Sequence, residues 1–113
     1  MTTKEDLSTP GNMLRSLEPF RSLNSSMPLQ CVSAFMLVAC DEGQNVTEYA
    51  RRAGVTPSLM TRHLSDIGTT NRHHLPGLGL VEQVHNVMDR RERLVRLTAK
   101  GPGIVGQIVR AHK

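Results

Sequence analysis

Residues 45–68, NVTEYARRAGVTPSLMTRHLSDIG, decide the fold. Thr47 is a capping residue for a helix running from Glu48 to about Ala53. Gly54 supplies the turn, because only glycine enters the left-handed region without steric cost. Thr56 then caps a second helix, with Pro57 at its first position, where the missing N–H costs nothing, and Asp66 near its end. Val46, Tyr49, Ala50 and Val55 form the apolar side of the first helix and turn. Met60, Leu64 and Ile67 follow i, i+4, i+7 spacing, one face of the second. Ala50 and Ala53 are small enough for the two helices to approach closely. Two short helices packed across a glycine turn are a helix-turn-helix.

Working upstream, PLQCVSAFMLVACDEG (residues 28–43) reads as a helix opened by Pro28 and closed by Gly43, apolar on nearly every side and therefore the central buried strut. Asp41 and Glu42 sit at its carboxyl end, where the helix dipole disfavours acids, and are expected to be solvated. Thr9-Pro10 reads as a helix start, with Met13, Leu14 and Leu17 as a short apolar stripe reaching Pro19 and a serine-rich stretch behind it. Downstream, GTTNRHHLPGLG (residues 68–79) is a linker dense in turn formers. LVEQVHNV and RLVRLT are β-branched runs on either side of the charged tip MDRRE, the pattern of a β-hairpin. Thr98 is the expected cap of a last helix, AKGPGIVGQIVRAHK, with Ile104, Ile108 and Val109 on its apolar side.

The expected fold is α+β, mainly α: a winged helix-turn-helix with a two-stranded β-hairpin wing and helices at both ends. A chain of 113 residues is one domain. Within it, residues 1–27 form an N-terminal helical arm, 28–98 the helix-turn-helix with its wing, and 99–113 the C-terminal helix.

Charge is distributed unevenly. Residues 1–50 hold three basic against six acidic side chains, a balance of −3; residues 51–113 hold eleven against four, a balance of +7. A basic half of this kind suits a polyanion. In the helix from Thr56 to Ile67, the apolar face leaves Ser58, Leu59, Thr61 and Arg62 outward, with His63 near the edge. Hydroxyls contact phosphates or base edges, an arginine grips guanine at two points, and Leu59 can meet a thymine methyl. Thr56 stands at a helix N-terminus, which favours a phosphate. Asp89, Arg90, Arg91, Arg93 and Arg96 crowd the two strands of the hairpin and the bend between them. One carboxylate orients one guanidinium and leaves the others for a narrow minor groove. Double-stranded DNA is the expected partner.

NVTEYARRAGVTPSLMTRHLSDI resembles the helix-turn-helix of the MarR family of regulators. GLVEQVHNVMDRRERLVRLTAKG resembles that family's wing: Gly79-Leu80-Val81 precede it, Asp89-Arg90-Arg91 form the tip, and Leu97-Thr98-Ala99-Lys100-Gly101 close it. The resemblance spans Pro28 to Gly101. It implies a homodimer reading a pseudo-palindromic operator, usually as a repressor, and often released by a small phenolic or other ligand or by cysteine oxidation. By position it assigns groove reading to Ser58, Leu59, Thr61 and Arg62, and the minor-groove arginine to Arg91, held by Asp89. Members are typically longer, with a long C-terminal helix at the dimer interface, and their linker before the wing is shorter.

Other classes fit less well. No phosphate-binding glycine loop, nucleophile motif or Cys/His cluster is present, so no enzyme, cofactor or metal is expected. An enzyme-class alternative would need a metal held by His63, Asp66 and one of His73 or His74, although adjacent histidines lack ligand spacing. A protein-interaction module would show exposed apolar anchors on the reading face, where Leu59 stands alone. With only Phe20, Phe35 and Tyr49 as aromatics, base stacking on single strands is disfavoured. Cys31 and Cys40, nine positions apart, point to roughly opposite faces of one helix and do not pair. The longest apolar run, Ala34–Cys40, lies in a segment too short to span a membrane, and the N-terminus lacks the apolar core of a signal peptide. The chain is therefore expected to be cytoplasmic, in a bacterium and associated with the nucleoid. Met13, Leu14 and Leu17 with Ile104, Ile108 and Val109 are the apolar residues left over for a two-fold contact.

Overall fold

The computed structural model describes residues 4–69 and 77–113, with side chains from residue 8 onward except that of residue 90. The order is α1 (Lys4–Leu23), α2 (Leu29–Cys40), β1 (Gln44–Asn45), α3 (Val46–Ala53), α4 (Pro57–Asp66), β2 (Val81–Asn86), β3 (Asp89–Leu97) and α5 (Gly101–Ala111). The architecture is a mainly helical winged helix. The sheet holds three antiparallel strands in the order β1-β3-β2, one more than the hairpin alone. The added strand is two residues long: Gln44 pairs with Val95 and Asn45 with Leu94. Gly43, at φ +90°, turns the chain into it and donates its N–H to the Val95 carbonyl at 2.8 Å.

The core is built around α2. Cys31, Val32, Ala34, Phe35 and Val38 are buried, and Phe20 of α1 meets Phe35 edge-on at 5.4 Å between ring centres. Tyr49, Ala50, Met60, Leu64 and Ile67 from α3 and α4, and Val81 and Val95 from the sheet, complete it. Tyr49 joins three segments through one oxygen. Its hydroxyl donates to the Asp41 carbonyl at 2.6 Å and accepts from the Gln44 N–H at 3.2 Å, with the Val95 carbonyl 3.5 Å away. Burial pushes the Tyr49 phenol up from its ordinary value.

Several boundaries differ from the sequence reading. α1 begins at Lys4, not at Pro10, and carries both Pro10 and Pro19 inside it. An interior proline costs about 3 kcal/mol; burial of Ser16, Pro19 and Phe20 offsets that cost. α2 ends at Cys40, three residues before Gly43, whose positive φ serves the turn instead. The cap of α3 is Asn45, whose side chain accepts from the Glu48 N–H at 2.8 Å, so Thr47 already lies within the helix. Thr98 does not cap the last helix: its hydroxyl donates to the Gly79 carbonyl at 2.5 Å, and α5 starts at Gly101. Asp41 and Glu42 are engaged rather than merely solvated. Asp41 pairs with Arg52 at 3.0 Å, and Glu42 accepts from the Leu97 N–H at 2.8 Å.

α5 packs on α1. Ser16 donates to the Asn12 carbonyl at 2.9 Å and accepts from His112 Nε2 at 2.7 Å, while Arg15 reaches the Ala111 carbonyl at 3.2 Å. Leu17, Ile104 and Ile108 rest on the core, so half of the leftover apolar set has a place within the chain. Met13, Leu14 and Val109 remain exposed, at 52%, 59% and 47%.

Candidate nucleic-acid interface

α4 is fixed from below and open above. Thr56 accepts the Leu59 N–H on its hydroxyl at 3.2 Å, Pro57 occupies the first helical position, and Gly54 closes α3 at φ +72°. Met60, Leu64 and Ile67 are buried, which turns Ser58, Thr61 and Arg62 to solvent. Thr56 is exposed as well. Two residues of the expected reading set sit differently. Leu59 is half-buried, and His63 shares the inward face with Met60 and Leu64. The His63 Nε2 is wholly buried without a hydrogen-bond partner, beside a cavity of about 170 Å³ lined by Leu29, Gln30, Ser33 and Met60. That nitrogen is turned away from the reading face.

Beneath this face, Glu48 organises α3. It accepts from Arg51 at 2.5 Å and from Arg52 at 2.9 Å, and these guanidiniums hold its carboxyl down to about 2. The same pairing raises both arginines further above their ordinary value.

The wing is a two-residue turn on a bulged hairpin. Asn86 pairs with Asp89, but His85 pairs with Arg93, so Arg90, Arg91 and Glu92 are extra on β3 and have no partner in the register. Asn86 Oδ1 accepts from the Met88 N–H at 2.9 Å, and Asp89 Oδ1 from the Arg91 N–H at 3.0 Å. The Arg91 guanidinium lies 3.5 Å from the Asp89 carboxylate with its side chain 95% exposed. Arg93 is exposed; the side chain of Arg90 lies outside the described residues. Arg96 lies on β3 away from the turn and pairs with Glu82 across the ladder at 2.7 Å. Sequence reading passed over Val87 and Met88, the two turn residues, whose exposure is 95% and 91%. An apolar pair in a turn with Asn and Asp on either side was the available signal.

α4 and the wing meet across a polar cleft of about 210 Å³, with Ser65 and Thr69 on one wall and Glu82, Gln83 and Arg93 on the other. The chain thus brings Arg93 beside the helix that carries Ser58, Thr61 and Arg62. His73 and His74 lie outside the described residues. Among the described residues, no three His, Cys, Asp or Glu side chains are grouped to hold a metal ion, and no helix is long and apolar enough to cross a membrane. Both cysteines are free; burial raises the Cys31 thiol above its ordinary value, with Asp66 adding to the rise.

Searches with known family models and among curated protein sequences give no match to this chain. Solved structures do match. A transcriptional regulator of Thermotoga maritima superposes with a TM-score of 0.68 at 15% identity over 88% of this chain and 63% of its own. FabT of Streptococcus pneumoniae in complex with DNA gives 0.67 at 20% over 96% and 72%. A cysteine-to-serine mutant of E. coli MarR with operator DNA gives 0.65 at 20% over 93% and 68%. The chain therefore has the fold of MarR-type winged-helix regulators, and spans less than two thirds of the length of the first of them.

Proposed function

We propose that this protein is a sequence-specific double-stranded DNA-binding transcriptional regulator, acting as a repressor on a pseudo-palindromic operator. The observation that carries the reading is the polar, arginine-bearing face of α4 set beside a protruding arginine wing. Ser58, Leu59, Thr61 and Arg62 read base edges in the major groove, with Thr56 at the phosphate, while His63, whose Nε2 is buried, supports the helix from its inner side. Asp89, Arg90, Arg91 and Arg93 serve the minor groove. The matched structures of FabT and of the MarR mutant hold DNA, which supports the same use of this fold here.

The working unit is a homodimer, because one reading helix and one wing offer a small footprint for a specific site. The exposed Met13, Leu14 and Val109 are the apolar contacts available for it. A small-molecule effector has a place to bind. An apolar cavity of about 540 Å³ opens between α1, α2 and α5, lined by Met13, Leu17, Met36, Leu37 and Ile108, with Ser16 and His112 as polar partners. The protein is non-enzymatic in this reading and works in the bacterial cytoplasm, on the nucleoid.

Selection of bound sequences from a random duplex pool tests the proposal. A palindromic motif is expected, with a log–log salt slope of the order of −4 to −7 for ~4–8 phosphate contacts. A slope near zero, or tighter binding to single strands, would overturn it.

A further inference from the structure

Val87 and Met88 have no role inside the chain. They are the only large apolar side chains among the described residues that are more than nine-tenths exposed. Neither suits a two-residue turn, where glycine, asparagine or aspartate supply the conformation. Asn86 and Asp89 perform that service from the flanks, each accepting a backbone N–H two residues on. The turn is held without any contribution from the side chains of the apolar pair. The register jump on β3 adds to this, since Arg90, Arg91 and Glu92 bulge from the ladder just behind the turn.

We infer that Val87 and Met88 form an apolar wedge that the wing presses between base steps in the minor groove, with Arg91 and Arg93 gripping the walls beside it. This rests on the DNA-reading proposal and adds to it a mode of contact, unstacking, and a consequence, a bent operator. Three observations select nucleic acid over a protein occupant. The apolar tip is two residues wide, far less than the ~800 Å² a side that a stable protein contact buries. Residues 89–93 carry three arginines against Asp89 and Glu92. Asp89 next to the turn is paired with Arg91, whose side chain is almost fully exposed, and Arg93 is exposed behind it, so the balance around the tip is basic, as a narrow groove favours. The hairpin is also continuous, through the cleft at Ser65 and Arg93, with the helix that reads the major groove. Methionine and small aliphatic side chains are suited to enter a base step, and such entry kinks a duplex by about 20–90°.

The test uses a duplex recovered by selection with the wild-type chain, substituted with 2-aminopurine at each step flanking the helix contacts and, separately, labelled at both ends for energy transfer. Wild type is expected to brighten 2-aminopurine at one step in each half-site and to shorten the end-to-end distance. The Val87→Ser/Met88→Ser variant should lose both signals and bind at least roughly tenfold more weakly, since a methionine and a valine are no longer buried in each half-site while the cost of unstacking is recovered. Its salt slope and melting temperature should match wild type, since neither charge nor internal packing changes. Wild type that binds the duplex with unchanged fluorescence, or a variant that keeps wild-type affinity and bend, overturns the wedge and leaves DNA reading standing. Failure to recover any duplex refutes DNA reading itself, and the wedge with it.

Discussion

α4 and the wing tip carry the same kind of polar and basic residues but are held in opposite ways. α4 is capped by Thr56, anchored through Met60, Leu64 and Ile67, and backed by α3 with its Glu48 pairs. The tip is held by two local backbone bonds to Asn86 and Asp89, and the side chains of Val87, Met88 and Arg91 are each more than nine-tenths exposed. Reading base edges needs donors fixed before contact, so that the cost of ordering them is met in folding. A groove whose width varies with sequence is better met by a tip that projects freely.

Substitutions sharpen that contrast, and the largest effect is expected in the core beneath α4. Leu64→Ala should lower stability by about 2–5 kcal/mol in urea unfolding, whereas Arg91→Ala should change it by less than ~0.5 kcal/mol. Equal losses would mean that the wing packs as firmly as the helix. In binding, Arg62→Ala should cost about 1–3 kcal/mol at particular operator positions, read by competition across a library of operator variants. Arg91→Ala should weaken most sequences alike and reduce the salt slope by about 1. Identical profiles for the two would erase the division between reading helix and gripping wing.

Smaller effects test how α4 is held at its start. Thr56→Ala removes the cap at Leu59 and should cost about 1 kcal/mol, visible as faster amide exchange in the first turn. Unchanged exchange there would show that Pro57 and the packing suffice. Least of all is the contribution of Glu48. Its folded value of about 2 lies below the ordinary 4.5, so its support for the fold is fully present above about pH 4.5 and is lost as pH falls through 2. A carboxyl resonance of Glu48 titrating near 4.5 would dissolve the arginine clasp.

How much of this is legible in the residues depends on how local its cause is. Gly54, Thr56 and Pro57 act on their immediate neighbours, and the turn and the start of α4 are where the sequence places them. The hairpin is equally plain, because alternation and its charged tip lie within one stretch. β1 is not, since two residues carry no period and Gln44 becomes a strand only when Val95 arrives from far along the chain. The cap went to Asn45 rather than Thr47 for the same reason: that strand fixes where α3 can begin. Prolines 10 and 19 suggest helix boundaries, and only the packing of α1 on α2 and α5 reveals that the helix runs through both. In the candidate site, the outward side of Arg62 follows from the helical pattern, whereas Arg91 is singled out only by resemblance to the family's wing. The inward Nε2 of His63 follows from the company of Met60 and Leu64. The bulge behind the tip needs a register that no single strand encodes.

The join between α4 and β2 has a mechanical consequence. Gly79 donates to the Gly68 carbonyl at 2.9 Å, Leu80 to the Ile67 carbonyl at 2.8 Å and Gly77 to the Thr69 carbonyl at 3.3 Å, so the two ends of the intervening stretch are stitched together at its base. A methyl group on Gly77 would stand 2.2 Å from the Gly68 carbonyl oxygen, so that position admits glycine alone. These bonds fix the span from the end of α4 to the start of β2. The join is a rivet: any side chain placed on Gly77 would force it apart and let β2 shift against α4.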